Sequence, residues 1–534
     1  MIKNLFELLA LSTQKFANKP ALHFQRQTLS YQQLFNATRQ CISQLQGFGV
    51  SRFDRVAIFL PKQFESVISI FASSALGAIF VPINPLLKPA QVIHILQDCS
   101  VKLLITNDER YQRLLPMLSE LSDIKDVLLL SPSTHAISSQ SIQCHRWLPQ
   151  VIDEQIPAEL YTLSNSTEID AAAIFYTSGS TGKSKGVVLS NRNILVGASS
   201  VSSYLYNTAN DVLLALLPLS FDYGFSQITT AVQVGASVVL LDYVLVQDVV
   251  KAVHDYKVTG IAAVPPLWSQ LVKANWSKGS NESVRYFTNS GGTMPLPLLN
   301  ELQQVFKHAE PYLMYGLTES FRSTFLAPSE ILKRPGSIGK AIPNVEITVV
   351  REDGSLCGPN EPGELVHRGP LVSLGYWNAP EQTAERFKAD PMAPTGIQLP
   401  QLAVFSGDTV KYDEEGYLYF IGRRDEMIKT SGYRVSPTEV EDAVYRLDPA
   451  IQDVAALGIF DGTDQAILVL VALAAGATAS PEQWLLQLKR SLPNFMLPKA
   501  ILLKDCLPKN PNGKIDRKAL AQDYQQYFFE GAPI

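Results

Sequence analysis

Tyr176-Thr177-Ser178-Gly179-Ser180-Thr181-Gly182-Lys183-Ser184-Lys185-Gly186 is the stretch on which the reading of this chain turns. It joins three glycines and two lysines to a run of Ser and Thr. Glycines let backbone N–H groups approach phosphate oxygens, hydroxyls add neutral donors and lysines add charge. The composition predicts a polyphosphate grip. Apolar Ala171-Ala172-Ala173-Ile174-Phe175 precedes the loop and Val187-Val188-Leu189 follows it, so a hairpin of two buried strands should carry it. A P-loop does not fit. Gly182-Lys183-Ser184 matches the end of that motif, but its first glycine would fall at Thr177. The strand-like residues after Lys185 also stand where a P-loop needs a helix N-terminus.

Working outward, 534 residues exceed what one core can serve, and 46% hydrophobic with 18% charged residues predicts large folded cores. A net charge of -5 gives no electrostatic footprint for nucleic acid. Cys41, Cys99, Cys144, Cys357 and Cys506 are scattered, without C-x-x-C spacing. That argues against a disulfide framework or zinc site and predicts a reducing, cytoplasmic setting. Residues 66–87 carry no charge, yet Gly77, Pro82, Asn84 and Pro85 interrupt them. A buried helix followed by a buried strand is expected there, with no membrane span.

Apolar runs alternate with helical stretches twice, over roughly 50–165 and 205–325, which predicts two similar α/β subdomains with covered parallel sheets. The phosphate loop falls between them. From about 340 to 425 short hairpins predict a β-rich subdomain. Beyond it a compact α+β tail begins, with Ser436-Pro437 and Ser480-Pro481 marking helix starts.

Four separated motifs then point one way. They are the loop from Thr177 to Gly186, Tyr315-Gly316-Leu317-Thr318-Glu319, the cluster Ser406-Gly407-Asp408 with Gly422-Arg423-Arg424-Asp425 and Ile428 to Val435, and Pro511-Asn512-Gly513-Lys514-Ile515-Asp516-Arg517. In this order the chain resembles the adenylate-forming ligases: acyl-CoA synthetases, amino-acid adenylation domains and luciferases. The closest motif likeness is to the acyl-CoA ligases. The resemblance implies an adenylation domain over 1–425 and a small mobile domain over 426–534. It implies that a carboxylate attacks the α-phosphate of ATP, pyrophosphate leaves, and the acyl group passes to a thiol. That thiol would be CoA or, alternatively, the phosphopantetheine of an acyl or peptidyl carrier protein acting in trans.

The resemblance also assigns roles. Thr177, Ser178, Gly179, Ser180, Thr181, Gly182 and Lys185 would hold the β- and γ-phosphates. Ser290, Gly291 and Gly292 would line the adenine and acyl pocket. Tyr315, beside Gly316, would stack on adenine, and Thr318 would bond the α-phosphate. Glu319 would hold Mg²⁺, which takes few protein carboxylates. Asp408 would bind both ribose hydroxyls, with Arg423 beside them. Lys514 would be the catalytic cation, Asp425 the hinge, and Gly432 the residue beside the thiol tunnel. Phe221 stands where many relatives carry a histidine. Asp222 would pair with a substrate ammonium or cap the following helix, and Trp268 would floor the acyl pocket or serve as packing.

Overall fold

A computed structural model describes residues 2–118, 121, 123–130, 142–149, 166–177, 184–277, 279–292, 294, 296–394, 396–399, 401–423, 428–448, 450–474, 476–508 and 515–529. The phosphate-loop hairpin forms as its apolar flanks require. Ala171–Thr177 pairs antiparallel with Lys185–Ser190, closing on Thr177 opposite Lys185. The hairpin is one edge of a seven-stranded sheet. Its other strands, in order inward from the far edge, are Gln143–Arg146, Asp126–Leu130, Leu103–Asn107, Arg55–Phe59 and Ile79–Pro82. These are mutually parallel. The charge-free stretch 66–87 supplies most of the helix Phe64–Ala75 and all of the strand Ile79–Pro82, broken at Gly77 with φ 67.

The second sheet has fourteen strands. Its parallel centre runs through Glu310–Tyr315, Tyr286–Asn289, Gly260–Ala263, Val212–Ala215, Ser237–Leu240 and Pro20–Phe24. The last of these comes from the N-terminal end of the chain and pairs in parallel with Ser237–Leu240. The second subdomain therefore recruits a strand from far outside 205–325. The β-rich segment is joined edge to edge to the same sheet. Thr324–Leu326 pairs with Ser337–Ala341, which pairs with Leu418–Arg423. The expected hairpins, Glu346–Val350 with Gly363–Arg368 and Leu402–Tyr412 with Leu418–Arg423, are present. Helices cover the parallel strands, and one continuous core runs from Leu5 to Leu371.

Residues beyond 427 build sheets and cores of their own. Ile451–Phe460, Gln465–Leu473 and Ala500–Lys504 form a three-stranded sheet. Val440, Val444, Trp484 and Leu488 pack on one face, and Leu507 and Leu520 on the other. The helix Pro481–Ser491 is capped by Ser480, whose hydroxyl accepts from the Gln483 N–H. Among the described residues no helix is long and apolar enough to cross a membrane, and all five cysteines are free.

Candidate active site

The strand ends and loops of both sheets converge on a cavity of about 1240 Å³. Thr177, Phe221, Asp222, Ser290, Gly291, Gly292, Tyr315, Gly316, Thr318 and Gly432 all line it. Parallel sheets open ligand clefts at the carboxyl ends of their strands, and several of these residues follow such ends. Ser290 follows Tyr286–Asn289, Gly316 follows Glu310–Tyr315, and Phe221 precedes the helix Asp222–Val234. Gly224 fits because a Cβ there would lie 2.2 Å from the Pro218 carbonyl oxygen. The loop after Asn289 is fixed by its own side chain, whose Nδ2 donates to the Gly292 carbonyl at 3.0 Å. Asn289 Oδ1 is buried without a partner among the described residues and belongs to the cavity lining.

Tyr315 and Asp408 meet directly. The Tyr315 hydroxyl donates to Asp408 Oδ2 at 2.5 Å, and Asp408 is fully buried. Its backbone is opposite Arg423 in the ladder. Gly407, at φ 67, allows that corner, since a Cβ there would strike the Arg386 guanidinium. Thr318 opens a short 3-10 turn and donates from Oγ1 to Asp222 Oδ1 at 3.2 Å. Asp222 is the first residue of its helix, after Phe221, so its carboxylate sits at the positive helix end. Glu319 Oε1 accepts from the Tyr376 hydroxyl at 2.7 Å, and the Lys185 ammonium lies 5.5 Å from the centre of the Tyr376 ring. Tyr376 thus ties the phosphate-loop strand to the Thr318-Glu319 turn. Sequence reasoning missed it. Its only local signal is Gly375-Tyr376-Trp377, which docks on the loop strand through a bridge between Val187 and Tyr376.

Gly432 occupies the tip of a two-residue hairpin between Thr430 and Tyr433. Ser431 and Gly432 have φ of 53 and 78, the pair of left-handed residues that a tight hairpin turn demands. Asp464 Oδ2 accepts from the Ser431 N–H, and burial pushes that carboxyl up to about 6. The tip sits against Val264, which a Cβ on Gly432 would approach to 2.7 Å. Gly432 and Phe221 also line a second cavity of about 550 Å³, so they stand where the two cavities meet. Lys62 lines that second cavity, paired with Asp242 at 2.6 Å.

Trp268 lines neither cavity. It is fully buried, packs at 5.2 Å on Phe287 and donates from Nε1 to the Thr288 carbonyl at 3.2 Å. The packing alternative is the one its surroundings match. Arg322, absent from the sequence-based set, is a buried cation in the lining. Ser178, Gly179, Ser180, Thr181, Gly182, Asp425 and Lys514 lie outside the described residues, as does the side chain of Arg423. Among the described residues no group of three or more His, Cys, Asp or Glu could hold a metal.

Comparison with known proteins accords with this geometry. The AMP-binding enzyme family matches residues 9–377. A long-chain-fatty-acid–CoA ligase of Bacillus subtilis is 27% identical over 98% of this chain and 94% of its own. Tyrocidine synthase 2 of Brevibacillus parabrevis is 28% identical over 98% of this chain, but only 14% of that much longer protein is covered. Among solved structures, an o-succinylbenzoate CoA synthetase of Bacillus subtilis, bound to a product analogue, superposes with TM-score 0.79 at 26% identity. That match covers 96% of this chain and 97% of the other. An amide bond synthetase of Marinactinospora thermotolerans, at TM-score 0.82 and 21% identity over 97% and 99% of the two chains, shares the fold. The chain belongs to the AMP-binding enzyme family.

Proposed function

We propose that this protein activates a carboxylic acid with ATP, forms an acyl-adenylate with loss of pyrophosphate, and passes the acyl group to a thiol. The observation that carries the reading is the convergence of Thr177, Tyr315, Gly316, Thr318 and Gly291 on one cavity, with Asp408 bonded to Tyr315 behind it. The attack joins two anions, so catalysis lies in positioning and in donors aimed at developing charge. Tyr315 would present an aromatic face for adenine, and Asn289 Oδ1 would be an acceptor for its amino group. The Asp408 carboxylate is an acceptor for ribose hydroxyls, and Thr318 is a donor for the α-phosphate. Thr177 and Lys185 brace the loop that would hold the outer phosphates.

Glu319 suits Mg²⁺, because its hard carboxylate oxygens sit beside Thr318 and because Mg²⁺ needs few protein ligands when phosphates supply the rest. Bound there, the ion would neutralise triphosphate charge. Lys514 would supply the cation for adenylation. Residues 426–534 would then turn about Asp425 and bring Gly432 to the cavity mouth, the arrangement in which the hairpin tip meets Val264. The second cavity would admit the thiol arm past Phe221 and Gly432. CoA is the acceptor we favour, given the Ile428 to Val435 motif; a carrier protein's phosphopantetheine is the alternative. Incubation with ATP, Mg²⁺, a mixed set of carboxylic acids and CoA should yield AMP, pyrophosphate and an acyl-CoA identifiable by mass. Release of ADP, or of AMP without dependence on an acid, would count against the reading.

A further inference from the structure

Arg322 is 2% exposed and lines the large cavity together with Asp222 and Thr318. Phe321 before it has φ 55, and its ring fills the space that a side chain on Gly197 would need. The chain doubles back at that point, and Gly316 packs on the Arg322 backbone, where a Cβ would lie 3.1 Å from the Arg322 Cα. The guanidinium carbon stands 4.8 Å from the centre of the Tyr223 ring. Among the described residues the side chain makes one long hydrogen bond, from Nη2 to Ser226 Oγ at 3.4 Å. Among the described residues its Nε is buried without an acceptor. No carboxylate among the described residues pairs with it.

A guanidinium offers five donors in a fork shaped for a carboxylate. Burying one with so few acceptors is strongly unfavourable unless an anion completes the site. A hydrocarbon tail would leave it uncompensated. The place of the charge also matters. Ser226 follows Asp222 by four residues on the helix Asp222–Val234, a spacing of ~6 Å along the axis. The cation therefore lies about one helical turn from the point where Thr318 meets Asp222. We infer that Arg322 binds a second carboxylate on the acid substrate, so that this enzyme activates short dicarboxylic acids in preference to monocarboxylic ones. The inference rests on the reading of the cavity as an acid-activating site.

The test is exchange of labelled pyrophosphate into ATP, driven by α,ω-dicarboxylic acids and by monocarboxylic acids of matched length. The expected kcat/KM ratio favours the diacids by about 10²-fold or more, since a buried donor set left empty penalises the analogue that lacks its partner. Arg322→Met, of similar length and uncharged, should erase that ratio mainly through the KM for the diacid, and Arg322→Lys should restore part of it. A short acidic amino acid as the best substrate would also support the assignment, with its ammonium facing Asp222. Exchange by the unaltered enzyme that is equal or better with monocarboxylic acids would overturn the inference while leaving the proposed function intact. No exchange with any acid would overturn the proposed function itself. The unaltered enzyme alone decides between these outcomes, so misfolding of a variant does not blunt the test.

Discussion

The two ends of the large cavity are built differently. The end we assign to the nucleotide is made of short polar motifs at strand ends, with Tyr315 bonded to Asp408 and Tyr376 bonded to Glu319. The end we assign to the acid is made of buried Asp222 and Arg322 with half-buried Phe221, on and around one helix. A common cofactor fixes the first set of residue types, because every member of such a family must hold the same phosphates and ribose. On the proposed assignment the second set would answer to the acid alone. The nucleotide end should therefore tolerate few changes, while the acid end should accept changes that redirect specificity.

The sharpest way to break this comparison is Lys514→Ala. It should lower acid-driven pyrophosphate exchange by about 10³-fold and leave thiol transfer from a preformed acyl-adenylate nearly intact. Equal loss of both half-reactions would remove the division of labour proposed for the tail. Next in size is Gly432→Val at the junction of the cavities. A Cβ there already meets Val264 at 2.7 Å and the backbone stands at φ 78. Thioester formation should fall about 10²-fold while exchange persists, as judged by measuring the two half-reactions separately.

Behind the acid end, Trp268→Ala should destabilise the protein by about 3–5 kcal/mol, seen as a lower denaturant midpoint. The ratio between competing acids should stay as it was, because the ring lies outside the lining; a changed ratio would return Trp268 to the pocket.

The smallest effect concerns the contact between tail and main body. Glu439 Oε1 accepts from Gln91 Nε2 at 3.0 Å. Burial pushes its carboxyl up to about 7 from an ordinary 4.5, with the Gln91 hydrogen bond and Arg446 opposing the rise and Asp442 adding to it. An acid raised in the docked state binds more protons there than when released. Docking should thus weaken as pH rises from about 4.5 through about 7, and stay at its weaker level above that. Thioester formation relative to adenylation should decline a few-fold between pH 6 and pH 8, and Glu439→Gln should flatten the slope.

Much of the fold was legible from periodicity. The hairpin around the phosphate loop, the helix and strand within 66–87 and the late hairpins all follow local patterns. The strand Pro20–Phe24 was not, because its partner Ser237–Leu240 lies far along the chain and no local signal records that pairing. Nor was the edge-to-edge joining of the β-rich segment to the second sheet, which depends on Leu418–Arg423 reaching Ser337–Ala341. At the site, the motifs around Tyr315, Thr318 and Gly432 were enough to single out residues that line the cavity. Arg322 was not, since one arginine in a sequence says nothing about burial, and the reversal at Phe321 that places it needs a left-handed backbone no residue type there announces. Trp268 shows the converse: size and apolarity left a pocket floor and core packing equally open, and its indole N–H found a backbone carbonyl inside the core.

The central claim is that a carboxylate oxygen becomes bonded to the α-phosphorus of ATP. An acid labelled with ¹⁸O in its carboxyl group, turned over with ATP and thiol, tests this at the level of single atoms. The expected result is AMP carrying one labelled oxygen, because the bridging atom leaves with the nucleotide when the thiol attacks the carbonyl. Unlabelled AMP, or label released in inorganic phosphate alongside ADP, would contradict the account.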